Sequence, residues 1–351
     1  MKKYLSFRNK KVGPGNPVFI VAEMSGNHNQ KLERAMAIVD AAVSAGVDAI
    51  KMQTYTPDTM TIDCDNKYFQ IKVNESWKGQ TLYSLYKKAF TPWEWQAKIK
   101  SYAESKGLVA FSTPFDESSV NFLEKLNMPL YKVASFEIGD LELLKRIGKT
   151  KKPVIISRGL ASVEDISLAI RTLNKAGSTS VAVLHCVSSY PATQSQMNIA
   201  TVPDIARRFG VVSGLSDHSS GITASVAAVA LGASIIERHL TLKRSDGGPD
   251  AEFSLEPQEM KRLVNTIRRI ELAIGKPSYK IGVKEKENVV FKRSLFVVKD
   301  IEKGDMFSKN NIRCIRPGYG LEPKNLSKVL GKRAKKNIKR GTPIFWGMVS
   351  R

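Results

Sequence analysis

Cysteine is scarce: Cys64, Cys186 and Cys314 are the three in the chain. The number is odd and no CxxC pair exists, which excludes a disulfide framework and a cysteine zinc site and fits a reducing compartment. Long apolar runs are missing too, none approaching the roughly 20 residues that span a bilayer. The basic start M-K-K-Y-L-S-F-R-N-K-K is not followed by an apolar segment and does not read as a signal peptide. A cytoplasmic protein with no membrane partner is therefore expected. No low-complexity stretch occurs. With 42% hydrophobic residues in 351, the chain can bury a sizeable core in one large domain or two.

Acidic residues are also few, 33 against 55 Lys and Arg, for a net charge of +22. From Lys276 onward there are 20 Lys and Arg against 6 Asp and Glu. A solvated basic surface, a field that draws in anionic substrates and nucleic-acid binding each fit such an excess. The basic tail has few aromatics for base stacking and no zinc-finger spacing, which argues against nucleic acid.

What the chain does have is a repeated ending. V-F-I-V-A, from Val18, runs into Glu23 and then the triplet Asn27-His28-Asn29. Seven more apolar, β-prone segments stop in the same way: Asp48–Thr54, Leu108–Pro114, Leu130–Ser135, Pro153–Gly159, Val181–Ser188, Val211–His218 and Ala233–Leu240. Helical spacing lies between most of them. Leu32–Ala45 stops at Gly46, Pro92–Lys106 opens on proline, Val163–Ala176 follows the N-cap Ser162, Ile222–Leu231 is small and apolar, and Glu256–Ile274 is long and amphipathic. Eight strand–helix units over residues 1–275 predict a (β/α)8 TIM barrel. An open doubly wound sheet is the alternative, but no glycine-rich phosphate fingerprint follows the first strand. The long stretch from Tyr55 to Thr91 reads as an insertion at the site, in which Trp77, Tyr83 and Tyr86 either cover substrate or pack locally. Residues 276–288 read as a linker. Short strands and turn signals over 289–351 predict a small β-rich module.

Barrel active sites lie at the C-terminal strand ends. Those ends carry Glu23; Lys51 and Gln53; Ser112 and Thr113; Lys132 and Ser135; Ser157; His185 and Ser188; Ser216 and His218; Glu237 and His239. Solvent contact explains a polar ending or two. It explains poorly two lysines within strands, because a buried charge costs several kcal/mol unless it is paired. Lysines with hydroxyls suit phosphate or carboxylate, although a lysine could instead form a Schiff base. His218 and His239 end the seventh and eighth strands, about 4.8 Å apart. They are either ordinary hydrogen-bonded histidines or a pair sharing one divalent metal, for which Mn²⁺ suits an otherwise oxygen-rich set better than structural zinc. His185, beside Cys186, reads as structural or as a support to that pair. The residues alone thus suggest a metal-assisted enzyme for a small phosphorylated or carboxylated substrate.

A-E-M-S-G-N-H-N, K-M-Q-T, S-T-P-F, Y-K-V-A-S-F-E, L-H-C-V-S-S-Y-P, G-L-S-D-H-S and I-E-R-H-L, in this order, resemble the sialic acid synthase family. The C-terminal module, with I-R-P-G-Y-G from Ile315, resembles that family's antifreeze-like (SAF, β-clip) domain. Gln30, Ser188 and R-S-D-G-G-P-D-A-E-F-S from Arg244 are nearer the family's pseudaminic branch than its N-acetylneuraminate branch. The resemblance implies condensation of phosphoenolpyruvate with an open-chain acetamido-sugar aldehyde, here 2,4-diacetamido-2,4,6-trideoxy-L-altrose, and water.

It also implies roles. His218 and His239 would hold the metal, Mn²⁺ with Mg²⁺ or Co²⁺ as substitutes, and serve catalysis with Glu23, which would move a proton or orient water. Lys51, Thr113, Lys132, Ser135, Ser157, Ser188 and Ser216 would bind phosphoenolpyruvate. Gln53, Glu137, Tyr190 and Asp250 would contact the sugar. Glu237, on the same strand face as His239, would support the metal or bind water. Arg316 is either a surface arginine before a Pro-Gly turn or, as the resemblance implies, reaches the sugar in the barrel of a homodimer partner. Competing expectations are N-acetylneuraminate or legionaminic acid synthesis, a 3-deoxy-heptulosonate phosphate synthase, and a basic anion- or nucleic-acid-binding protein. The SAF-like module and Asp250 in G-G-P-D count against the heptulosonate enzyme.

Overall fold

The computed structural model describes residues 4–72 and 77–350; part of the long stretch after the second strand (73–76), the first three residues and Arg351 lie outside it. The chain divides into two compact units, Met1–Gly275 and Lys276–Arg351.

In the first unit eight parallel strands close into a barrel in chain order: β1 Phe19–Glu23, β2 Ala49–Thr54, β3 Val109–Pro114, β4 Tyr131–Val133, β5 Val154–Ser157, β6 Val181–Cys186, β7 Val212–Ser216 and β8 Ile235–His239. The helices after them are α1 Leu32–Ala45, α2 Trp93–Ser105, α3 Glu117–Lys125, α4 Leu141–Lys149, α5 Val163–Ala176, α6 Thr201–Phe209, α7 Thr223–Ala230 and α8 Pro257–Ile274. Gly46 ends α1 with φ of +81°, a conformation glycine adopts without penalty. Ser162 and Asp165 form a reciprocal capping box on α5. Pro92 is the N-cap of α2 rather than part of its first turn, because its ψ of 131° is extended. The nine-residue helices α3, α4 and α6 have too few turns to stand out as periodic patterns. Asp116 and Asp140 cap the first two of these.

The strand period of two separates the two faces. Outward residues such as Ile20, Ile50, Val133, Ile156, Val183 and Ile236 pack under the helices. Inward residues begin apolar and fill the barrel's lower half: Phe19, Val21, Ala49, Val109, Phe111, Leu130, Ile155, Leu184 and Ile235. Leu5, Phe7 and Val12 join this cluster from an antiparallel hairpin, Leu5–Phe7 with Lys10–Val12, which plugs the N-terminal end of the barrel. That hairpin comes from the basic opening stretch, where three apolar residues among lysines gave no strand signal.

The second unit has its own core of Leu295, Val297, Ile301, Phe307, Ile312, Val329, Ile338 and Ile344. It holds a two-stranded antiparallel sheet, Ser294–Val297 with Ile312–Ile315, and isolated bridges such as Ile301–Ile338 and Ala334–Val349. The segment 276–288 is exposed along its length and contains a helical turn, Val283–Lys286.

Candidate active site

The inward rows turn polar at the strands' C-terminal ends. Along β1 the inward row is Phe19, Val21, Glu23; along β2, Ala49, Lys51, Gln53; along β8, Ile235, Glu237, His239. Here the side chains face a cavity of about 450 Å³. It is bounded by the strand ends, the loops after them and the insertion after β2.

Four buried charges lie at its floor. Lys51 Nζ is 2.7 Å from Glu23 Oε2 and 3.3 Å from Glu237 Oε1, and Lys132 Nζ is 3.9 Å from the same Glu237 oxygen. Lys51 also donates to Thr113 Oγ1 at 3.2 Å, and Lys132 to Ser157 Oγ at 2.7 Å. Ser216 Oγ donates to Glu237 Oε1 at 3.1 Å. The pairing answers the cost of burying two ammonium groups. Burial pushes Glu23 up to about 7 against the pull of Lys51, with Glu237 adding repulsion. Burial pulls Lys132 down to about 8, although Glu237 opposes it. Burial opposes charge on Lys51 and Glu237 as well, but the opposite charges beside them win: Lys51 is raised and Glu237 lowered. Two ammonium groups with hydroxyl donors beside them suit an anionic ligand.

Beside the lysines is a small hydroxyl cradle. Ser135 Oγ and Ser188 Oγ are 3.1 Å apart, and the Tyr190 hydroxyl bonds with the pair. Gly159, with φ of +41°, lines its back; a Cβ there would stand 2.3 Å from Ser135 Cβ and 2.7 Å from Ser188 Oγ. Only glycine leaves these two hydroxyls their positions.

His218 and His239 face each other across the rim, ring centroids 5.3 Å apart. Burial holds His218 down to about 4 and His239 well below the ordinary histidine value, so both imidazoles are neutral at pH 7. The Val187 carbonyl, 3.3 Å from His218 Nδ1, can only accept; Nδ1 therefore carries the proton and Nε2 keeps its lone pair. His239 Nδ1, Glu237 Oε2 and Glu137 Oε2 are buried with no hydrogen-bond partner among the described residues. Asp250 Oδ2 lies 3.9 Å from His239 Nδ1 and accepts from Ser25 Oγ. Two neutral imidazoles with carboxylates nearby fit one divalent ion. Among the described residues no three His, Cys, Asp or Glu side chains form a ready-made metal cage.

Of the residues expected from the sequence, Lys51, Gln53, Lys132, Ser135, Ser157, Ser216, Glu137, Tyr190, His218, His239 and Asp250 line the cavity. Glu23, Thr113 and Ser188 join it through the bonds above. Ser112 and His185 point the other way. Ser112 bonds Thr54, and His185 bonds the Met197 carbonyl and Arg158 under the helices, the structural reading of that histidine. Arg316 belongs to the second unit, where it is exposed beside the Pro317 turn. In the insertion, Trp77 and Tyr86 line the cavity, whereas Tyr83 bonds Asp58 at the surface. Ser25, Cys186 and Phe253 also line the cavity and were not among the expected residues. Cys186 is the inward residue after Leu184, so the strand period identifies it once the register is known. Phe253 packs tilted against Tyr190 and edge-on to His218 and His239, ring centroids 5.0–5.8 Å apart, an arrangement built by a loop that has no period.

A closed parallel barrel with buried lysines, hydroxyls and paired imidazoles at its C-terminal mouth defines an enzyme for a small anionic substrate. The chain belongs to the NeuB family, whose model matches residues 38–279, and a SAF domain model matches residues 292–350. It is 42% identical over 330 residues to the pseudaminic acid synthase of Campylobacter jejuni, covering 94% of this chain and 96% of that protein. It is 34% identical to the N,N'-diacetyllegionaminic acid synthase of Legionella pneumophila, covering 95% of each. Among solved structures, the N-acetylneuraminic acid synthetase of Leptospira borgpetersenii in complex with citrate is similar with a TM-score of 0.73 and 33% identity, over 82% of this chain and 95% of that one. The protein is thus a synthase of a phosphoenolpyruvate-dependent family.

Proposed function

We propose that this synthase condenses phosphoenolpyruvate with 2,4-diacetamido-2,4,6-trideoxy-L-altrose and water to give pseudaminic acid and phosphate. The observation that carries the reading is the pair of buried ammonium groups, Lys51 and Lys132, beside the Ser135–Ser188 cradle and next to two imidazoles. The choice of sugar is supported by the identity to the Campylobacter enzyme. The same chemistry on the N-acetylneuraminate or legionaminic acid precursor is the alternative.

Lys51, Lys132, Thr113, Ser135, Ser157, Ser188 and Ser216 bind the phosphate and carboxylate and place C3 of phosphoenolpyruvate toward the aldehyde. Gln53, Glu137, Tyr190 and Asp250 hold the sugar. C3 bonds to the aldehyde carbon, water adds at C2, and the aldehyde oxygen receives the proton that Glu23 takes from that water. Glu23, held near neutrality, takes the proton that this water releases on Oε2, the oxygen facing Lys51. The C2–O bond to phosphate then breaks, the electron pair leaves with the bridging oxygen toward the two lysines, and the departing phosphate takes the proton of the new C2 hydroxyl to give the ketone. His218 and His239 would hold a divalent ion, Mn²⁺ in our reading with Mg²⁺ or Co²⁺ able to replace it, which supplies Lewis acidity to the aldehyde oxygen.

The protein acts as a homodimer in the cytoplasm, with each SAF domain covering the partner subunit's site and bringing Arg316 to the sugar. Phosphoenolpyruvate labelled with ¹⁸O at the bridging position tests the bond assignment. The label should appear in the phosphate and the product should have the mass of pseudaminic acid. Label retained in the sugar acid would contradict C–O cleavage.

A further inference from the structure

The loop after β1 works on two sides. Toward the cavity, Ser25 Oγ donates to Asp250 and accepts from Gln53 Nε2 at 3.0 Å. On its other side the same loop grips the end of the insertion after β2. A Cβ on Gly26 would stand 3.0 Å from Ala89 Cα and 3.1 Å from the Ala89 carbonyl oxygen, so loop and helix Leu82–Ala89 touch backbone to backbone. Gln30 N donates to His28 Nδ1 at 3.1 Å, which leaves the ring proton on Nε2, 3.2 Å from Thr91 Oγ1. Gln30 completes the grip from a strained backbone. Its φ is +55°, a region that residues with a Cβ seldom enter. From there its side-chain amide donates to the Phe90 carbonyl at 2.6 Å and the Lys88 carbonyl at 3.1 Å. Lys88 is in the last turn of the helix, where carbonyls have no partner within the helix. Leu85 and Tyr86 of that helix line the cavity, and the Tyr86 ring packs edge-on to Tyr55, centroids 5.7 Å apart.

We propose that Gln30 is a positioning residue for the acceptor: by capping the helix Leu82–Ala89 it holds Tyr86 and Leu85 at the cavity. The identity of the acceptor rests on the reaction proposed above; the capping does not. Lys51, Thr113, Lys132, Ser157 and Ser216, which meet phosphoenolpyruvate in that reaction, stand on barrel strands and have no bond to Gln30 or to this helix. Loss of the cap should therefore act on the acceptor and spare phosphoenolpyruvate. Gln30 is exposed, so its replacement leaves the core as it is.

Two variants of the full-length protein test this. Gln30→Met keeps the length and the strained backbone but has no donor; Gln30→Lys restores a donor with sufficient reach. Amide hydrogen exchange over residues 82–90 reads the cap without any substrate. It should quicken about 10-fold in Gln30→Met, the effect of one to two lost hydrogen bonds, with the barrel strands unchanged, and slow again in Gln30→Lys. The diacetamido-altrose reduced at C1, which binds without reacting, is then titrated calorimetrically with phosphoenolpyruvate present. It should bind Gln30→Met several-fold more weakly, while phosphoenolpyruvate binds as before. Unchanged exchange in Gln30→Met, faster exchange that Gln30→Lys shares, or faster exchange with unaltered alditol affinity would overturn the proposal. If the unsubstituted protein neither binds the alditol nor releases phosphate with the aldehyde, the proposed reaction fails, and the exchange result alone sustains or overturns the cap.

Discussion

Asp217 and Arg238 form an ion pair at 2.9 Å on the outer face of the barrel, both fully buried, and each stands one residue before a cavity histidine. Ser219 and Ser225 donate to the carboxylate, and Arg238 donates to the Ser219 carbonyl at 2.8 Å. The pair ties the end of β8 to the loop after β7 from behind, while His218 and His239 face inward. Removing one partner leaves a buried charge alone. Arg238→Met or Asp217→Asn should lower stability by roughly 3–5 kcal/mol in urea unfolding. The double variant should recover much of that loss, because no charge is then stranded. Additive losses would show that the pair does not act as a unit.

The buried lysine and glutamate set a pH window. In the free enzyme Lys132 must be charged to hold an anion, so kcat/KM for phosphoenolpyruvate should fall as the pH rises past about 8. Glu23 must be ionised to accept a proton, so the acid limb should fall through about 7. Glu23→Gln should leave a weak activity without that limb. Glu137, also raised by burial to about 7, supplies the control. If Glu137→Gln removes the acid limb and Glu23→Gln keeps it, the two carboxyls exchange roles.

The imidazole pair should govern metal content. His218→Ala and His239→Ala should each bind far less Mn²⁺ in equilibrium dialysis and lose roughly 10³-fold in phosphate release, the scale of several kcal/mol of charge stabilisation. His185→Gln, which alters a residue beneath the helices, should keep its metal. Full Mn²⁺ occupancy in both alanine variants would remove these histidines from the site.

Sharing of sites between subunits is open to complementation. His218→Ala and Arg316→Ala should each be nearly inactive alone. Unfolded together and refolded as a mixture, they should regain about a quarter of normal activity, because half the dimers pair unlike chains and each such dimer has one complete site. No recovery, with mixed dimers confirmed by mass, would place Arg316 outside the partner's site.

Much of the barrel was legible because its strands are apolar runs that stop on polar residues. Glu237 and His239 could be placed on one face, since side chains alternate along a strand. Alternation without a register does not say which face is inward, and a shift of one residue exchanges the faces. Hence Ser112 and His185 counted among the polar strand ends although they face the helices, and inward Cys186 was not singled out. The hairpin of Leu5, Phe7 and Val12 and the apolar residues of the insertion on the cavity were hidden for another reason. Their residues have no periodic pattern and acquire a common environment only when distant segments meet.

The most direct measurement is phosphate release from phosphoenolpyruvate by metal-stripped protein, with and without Mn²⁺, with 2,4-diacetamido-2,4,6-trideoxy-L-altrose and N-acetylmannosamine as parallel acceptors. Release that requires both Mn²⁺ and the altrose is the predicted result. Turnover of N-acetylmannosamine in place of the altrose, or turnover unaffected by metal removal, would contradict the account.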